Sequence, residues 1–235
     1  MLTALAQLQP HQEVRLRLQI ALQPGRHEWI ELFAKGHAPA DDNHPAPRIT
    51  AAFHLINDRV RQEQQLLYLA QHDALTNLLN RRTILERLET AIAPNDQRDP
   101  HLAVLFVDLD EFKRINDSHG HAAGDLVLQE TASRIQQCIR HGDSVGRLGG
   151  DELLVVLRNI HTAADAMDVA HKIHQACQRP VLYQRTSIAI SVSIGVGLAQ
   201  PGDSPAALQI RADQALYSAK EQGRNRVIQV HSAPP

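Results

Sequence analysis

Residues 101–113, His101-Leu102-Ala103-Val104-Leu105-Phe106-Val107-Asp108-Leu109-Asp110-Glu111-Phe112-Lys113, run from an almost purely apolar stretch into a cluster of acids. A strand buried on both faces reads this way, because neither of its sides meets water. Its first carboxylate, Asp108, falls where the strand should emerge from the core. A second cluster follows at Arg147-Leu148-Gly149-Gly150-Asp151-Glu152-Leu153. Gly149-Gly150 predicts a tight turn between strands at 144–148 and 153–157, since only glycine takes positive φ without steric cost. Asp151 and Glu152 then sit at a hairpin tip that a short excursion brings to Asp108. Neighbouring carboxylates repel unless a cation lies between them, and Mg²⁺ typically binds through one or two carboxylates plus substrate phosphates. The pattern predicts a phosphate-handling metal site. The plainer reading of the same residues is strand-end solvation at Asp108 and Asp110 and ordinary turn chemistry at Asp151-Glu152.

Composition narrows the partners. A length of 235 residues accommodates one large domain or a domain with an attached segment, and 43% hydrophobic residues are enough for a real core. A formal charge of −2 supplies no basic field, and one Trp, three Tyr and four Phe leave little material for stacking on bases. A nucleic acid polymer is therefore not an expected partner. Cys138 and Cys177 are too few for a disulfide framework, lack CxxC spacing and fall on apolar helical faces, which predicts reduced core thiols. The start, Met1-Leu2-Thr3-Ala4-Leu5, lacks the basic flank and long apolar stretch of a signal peptide. No run approaches the ~20 apolar residues of a membrane span. The expectation is a soluble, cytoplasmic chain.

Residues 1–56 have a texture of their own. Val14 to Ile20 alternates strictly, Trp29 to Phe33 alternates again, and Pro24-Gly25 punctuates between them. Asp41-Asp42-Asn43-His44-Pro45 predicts a second turn before a third strand at Ile49 to Leu55. With Trp29 in the middle strand and Ile56-Asn57-Asp58-Arg59 after the last, the segment resembles the C-terminal three strands of a PAS sensory domain, without its ligand-enclosing helical half. Three strands are marginal alone and must pack on something. A linker helix is expected over 57–71. Phe53, Val60, Leu67 and Ala74 fall at one heptad position and Ile56, Glu63 and Ala70 at the other. This reads either as a helix packing on its own domain or as a parallel dimeric coiled coil.

From Asp73 to about His231 the chain resembles a GGDEF domain, the catalytic module of bacterial diguanylate cyclases, which sets the domain's expected bounds at 72–232. The resemblance is carried by seven stretches in order. They are Asp73 to Arg82 (DALTNLLNRR), Asp108 to Asp125 (DLDEFKRINDSHGHAAGD), Arg140-His141-Gly142-Asp143, Arg147 to Leu153 (RLGGDEL), Ser193 to Gly197, Ala212 to Tyr217, and Lys220 to Asn225 (KEQGRN). A lone GGDEL would be weak; the ordered set is specific. It implies an α+β fold, an adenylyl-cyclase-palm-like central antiparallel sheet flanked by helices. The elements read from the sequence are helices over 81–93, 124–139, 163–177 and 205–222 and strands at 101–107, 188–198 and 227–230, around the hairpin.

Diguanylate cyclases join two GTP into cyclic di-GMP with release of pyrophosphate, and the resemblance implies roles residue by residue. Asp108, the Leu109 carbonyl and Asp151 would hold Mg²⁺, or Mn²⁺ in its place; Asp151 and Glu152 would receive the ribose 3′-hydroxyl proton. Lys113 would stabilise phosphate charge, as would Lys220 and Arg224, one helical turn apart on one face. Asn116, His121 and Asp125 would contact the substrate, Asp125 accepting from both guanine donors. Arg140-x-x-Asp143 stands where the family binds product as a feedback inhibitor, although a surface ion pair would look the same. The role of Arg147 stays open. Leu153 stands where the family name has Phe, an exchange expected to alter packing without removing a ligand. The resemblance also implies a homodimer, since each domain offers one nucleotide site. Two other readings share these residues: a silent domain that only binds GTP or cyclic di-GMP, and a purely structural dimerisation module.

Overall fold

A computed structural model describes residues 9, 11–23, 26–38, 48–92 and 101–229. The chain divides into two compact units, Met1–Tyr68 and Leu69–Pro235.

In the first unit β1 (Glu13–Gln23), β2 (Arg26–His37) and β3 (Arg48–Leu55) form an antiparallel meander. Both expected turns, at Pro24-Gly25 and at 41–45, lie outside the described residues. Register aligns Leu16 with Leu32 and Phe53, and Leu18 with Ile30 and Leu55, so the period of two collects one apolar face. The opposite face carries most of the charge, with Phe33 packed against Arg15 and His54. Glu31, on the central strand, is almost fully buried and offset by Arg15, which grips it through Nε and Nη2 at 2.8 and 2.9 Å, with Arg17 and His54 beside it.

Helix α1 (Asn57–Gln71) follows, and none of its residues is buried. The expected heptad frame overruns it at both ends. Phe53 belongs to β3, Ile56 is buried as its amide bonds the Trp29 carbonyl, and Ala74 lies in the turn beyond Gln71. Only Val60, Glu63, Leu67 and Ala70 sit on the helix, and Glu63 is occupied by Arg17 and Arg59.

The second unit is built on a five-stranded sheet of order β10-β9-β4-β6-β5. Its strands are β4 (Leu102–Leu109), β5 (Ser144–Gly149), β6 (Glu152–Arg158), β9 (Val192–Leu198) and β10 (Val227–Gln229). The sheet is mixed, which corrects the antiparallel expectation: β10 runs parallel to β9, because helix α6 (Pro205–Glu221) carries the chain back before it pairs. β4 is buried along its whole length. Ala103, Leu105 and Val107 face one core with α4 (His121–Cys138) and α5 (Ala163–Cys177), while Leu102, Val104 and Phe106 face a second with α2 (Arg81–Ile92) and α6. Cys177 is buried, and Cys138 half-buried; both are free thiols. Leu153 is fully enclosed in the first core.

Three local expectations change. Residues 112–119 form a short helix α3 (Phe112–His119) that is missing from the elements read from the sequence, and α4 begins at His121, not Gly124. Gly120, at φ 84°, separates the two helices. The strand expected over 188–198 is divided: β7 (Val181–Tyr183) and β8 (Thr186–Ile188) make a separate hairpin, and β9 starts at Val192. Gln184 and Arg185 take positive φ at its tip, a turn with no glycine to announce it.

Candidate active site

Alternation along β4 sends Asp108 to the same side as Leu102, Val104 and Phe106, the side that α6 covers. α6 can approach because β9 carries Gly195. A Cβ there would stand 2.1 Å from the Leu216 amide nitrogen and 2.2 Å from the Ala212 carbonyl oxygen, a clash no side chain could relieve. The helix's last turn then delivers Lys220, whose Nζ lies 2.7 Å from Asp108 Oδ2. Asp108 is paired across the sheet with Glu152 on β6 and Ser193 on β9, and the Leu109 amide donates to the Asp151 carbonyl at 3.4 Å. The hairpin therefore closes onto the strand end as the sequence predicts, with Gly149 and Gly150 at φ 149° and 53°.

Electrostatics follow from this crowding. Burial pushes the Asp108 carboxyl up to about 6; Lys220 opposes the rise, while the negative charges of Asp151 and Glu152 add to it. A second cation would relieve that repulsion. Among the described residues no three His, Cys, Asp or Glu side chains gather into a ready-made metal cage. A pair of neighbouring acids without a full cage fits an ion that completes its shell with phosphate and water, the habit of Mg²⁺.

Asp110 behaves differently from the strand-end solvation offered for it. It is buried and accepts from Ser191 Oγ and Ser193 Oγ, both at 2.6 Å, and from the Asn225 amide at 3.0 Å. This carboxylate ties the end of β4 to β9 and to the loop after α6. The hydroxyls it uses, and Asn225, were not recognised as partners from the sequence.

The remaining candidates are placed as follows. Lys113 lies exposed in the first turn of α3. Asn116, on α3, packs over Gly124 so closely that a Cβ there would stand 1.9 Å from its Oδ1, which puts Asn116 beside Asp125 on α4. Asp125 and His121 are exposed. Asp125 sits in the second turn of α4. Arg224 does not continue the helical face of Lys220. α6 ends at Glu221, Gly223 turns at φ 106°, and Arg224 sits on the loop at φ 61° with its amide bonded to the Ala219 carbonyl. A cleft of about 580 Å³ opens there, lined by Arg224, Arg114, Ser118, His119 and the 187–191 segment. It does not include Asp108, Asp151, Asn116 or Asp125.

Arg140 and Asp143 lie beyond the end of α4 and brace the sheet. Asp143 is nearly buried, accepting from the amides of Arg140 at 3.2 Å and Arg158 at 3.0 Å. Arg140 Nη2 donates to the carbonyls of Arg158 and Asn159. The Arg140 side chain is 58% exposed although its Nη2 is engaged.

Fixed acids and a lysine converging at the end of one buried strand suit the handling of a metal-bound phosphate ester. Similarity to known proteins narrows that class. Residues 70–226 match the family described as diguanylate cyclase, GGDEF domain, and the chain belongs to that family. The bifunctional diguanylate cyclase/cyclic di-GMP phosphodiesterase MucR of Pseudomonas aeruginosa is 44% identical over 173 residues, 73% of this chain and 25% of MucR. Diguanylate cyclase TpbB of the same organism is 43% identical over 165 residues, 69% of this chain and 38% of TpbB. The coiled coil and GGDEF domain of DgcB from Caulobacter crescentus, solved in complex with c-di-GMP, matches with a TM-score of 0.68 at 30% identity, over 74% of this chain and 93% of that one. The chain thus spans well under half the length of these curated relatives.

Proposed function

We propose that this chain condenses two GTP into cyclic di-GMP with release of pyrophosphate. The observation that carries the reading is the convergence of Asp108, the Asp151-Glu152 tip and Lys220 at one strand end. Asp108, the Leu109 carbonyl and Asp151 would hold Mg²⁺, or Mn²⁺, which when bound supplies charge neutralisation to the phosphates and acidity to the attacking hydroxyl. Asp151 or Glu152 takes the 3′-hydroxyl proton. Lys220, in the last turn of α6, would neutralise phosphate charge, joined by Lys113 and Arg224. Asn116 and Asp125, adjacent across α3 and α4, accept and donate at the guanine edge.

The reaction needs two nucleotide sites facing each other, hence a homodimer. Support comes from α1, where Leu66 and Leu67 are 66% and 63% exposed and no residue is buried, as expected of a helix that pairs with a copy of itself. The three-stranded unit before it suits a PAS-like sensory segment. No helix among the described residues is long and apolar enough to cross a membrane. Arg140, more than half exposed along its side chain, is suited to bind product as a feedback inhibitor, while Asp143 lies beside it. Incubation of the purified chain with GTP and Mg²⁺, followed by mass detection of cyclic di-GMP, tests the proposal. An inert mixture that still binds GTP would overturn it in favour of a silent receptor.

A further inference from the structure

Gly223, Arg224 and Asn225, in the loop between α6 and β10, take positive φ in succession, at 106°, 61° and 49°. Glycine and asparagine adopt that region readily, whereas a long side chain such as arginine seldom does. A left-handed arginine persists only where its surroundings over-determine it. Part of the fastening comes from close by in the chain: the Arg224 amide donates to the Ala219 carbonyl at 3.0 Å, and the Arg224 carbonyl accepts from Arg226 Nε at 3.0 Å.

The rest comes through Asn225. Its amide donates to Asp110 Oδ2 at 3.0 Å, just past the end of β4. Its side chain reaches α5: His174 Nε2, in the last turn of that helix, and Gln178 Nε2, just beyond its end, both donate to Asn225 Oδ1, at 2.9 and 3.0 Å. A side-chain carbonyl oxygen has two lone pairs, so it accepts both donors at once. His174 and Gln178 stand four residues apart and so share one face of the helix end. The loop is thereby fastened by helices from both sides of the sheet, since α6 packs in the core of Leu102, Val104 and Phe106 and α5 in that of Ala103, Leu105 and Val107. Neither His174 nor Gln178 falls in the stretches that carry the family resemblance.

We infer that His174 and Gln178 are positioning residues, which hold the Asn225 side chain and through it the left-handed pose of Arg224, and so set where this chain meets the phosphates of its substrate. The inference rests on the cyclase reading for what Arg224 does. It gives α5, a helix with no residue in the site, a hydrogen-bonded hold on one of the site's cations.

Asn225→Gly is the first variant. It keeps the left-handed backbone available and removes only the tie to α5. His174→Leu combined with Gln178→Ala cuts the same tie from the other end and leaves the loop's own sequence intact. Hydrogen exchange of the full chain, read at residues 224 and 225, should quicken about fivefold in both, with exchange in β4 and in the interior of α6 unchanged. In steady-state assays the KM for GTP should rise about fivefold with kcat within a factor of about two, because a misplaced phosphate contact weakens binding. A merely structural loss would instead shrink the active fraction, lowering kcat at constant KM. His174→Gln with Gln178 intact still offers two donors and should keep the parent's KM. Added to Arg224→Ala, the His174→Leu and Gln178→Ala pair should cost nothing more, since it acts through Arg224. Parent-like exchange or a parent-like KM in Asn225→Gly would overturn the inference, leaving tolerance of positive φ as the whole of Asn225's role. So would a further loss on top of Arg224→Ala. If the parent made no cyclic di-GMP, the cyclase reading would fail, while the exchange arm would still decide whether α5 holds the loop.

Discussion

Replacing Asp110 by alanine separates two readings of an acid that looks, in the sequence, like a solvated strand end. If it were one, the cost would be within about 0.5 kcal/mol, as for most surface changes. In the structure Asp110 is 8% exposed and accepts from three donors, of which Ser193 is itself fully buried. Hydrogen bonds to a charged acceptor contribute ~1.5–3 kcal/mol each, and a buried donor left unpaired costs ~1–3 kcal/mol. Asn225 is exposed and Ser191 half-buried, so both can turn toward water; the fully buried Ser193 hydroxyl cannot. One stranded donor and the charged hydrogen bond it loses then set the loss at about 3 kcal/mol, or a drop of roughly 6–12 °C in Tm for a unit of this size. Asp110→Asn keeps the shape, and the hydroxyl of Ser193 can reverse to accept, so it should lose only about 1–2 kcal/mol. Urea unfolding followed by far-ultraviolet circular dichroism, where α2 to α6 supply most of the signal, measures both, provided the slope against denaturant stays constant. A loss below about 1 kcal/mol for Asp110→Ala would refute the reasoning and return the residue to the surface.

Four further outcomes are expected. Asp125→Ser removes the acceptor for both guanine donors, so competition assays should show GTP losing its preference over ATP; unchanged discrimination would exclude Asp125 from base recognition. Glu at both Val60 and Leu67 should lower specific activity most in dilute protein and least in concentrated protein, measured alongside sedimentation. Arg140→Ala should leave initial rates unaltered but let progress curves run on where the parent's stall, and equal inhibition of both by added cyclic di-GMP would leave Arg140 a brace alone. The last concerns pH. The folded pKa of Asp108 is raised to about 6 from 3.8, so its contribution to stability is fully present below the unfolded value and is lost as pH rises through about 6. At ~1.4 kcal/mol per unit that loss approaches 3 kcal/mol, and the difference in melting between parent and Asp108→Asn, measured without metal, should grow in the variant's favour between about pH 4 and pH 7.

What was legible in the sequence was whatever is encoded by neighbours along the chain. β4 announced itself because a strand buried on both faces needs an unbroken apolar run, and the hairpin did so because two glycines in succession permit its turn. Helices α2, α5 and α6 were placed within a residue or so by the same local periodicity. α3 escaped because it is eight residues long with only Ile115 buried, too little apolar surface to leave a periodic trace. β7 and β8 escaped because their turn is made by Gln184 and Arg185, residues that seldom take positive φ. Only the tertiary structure could show that Lys220 meets Asp108, that Asp110 is a buried junction for Ser191, Ser193 and Asn225, and that Arg147 joins Asp73 to the turn. Those partners stand 74 to 115 residues apart in the chain. A charged side chain carries no local sign of what it will pair with; the partner is chosen when the sheet and helices pack, and burial then makes leaving it unpaired costly.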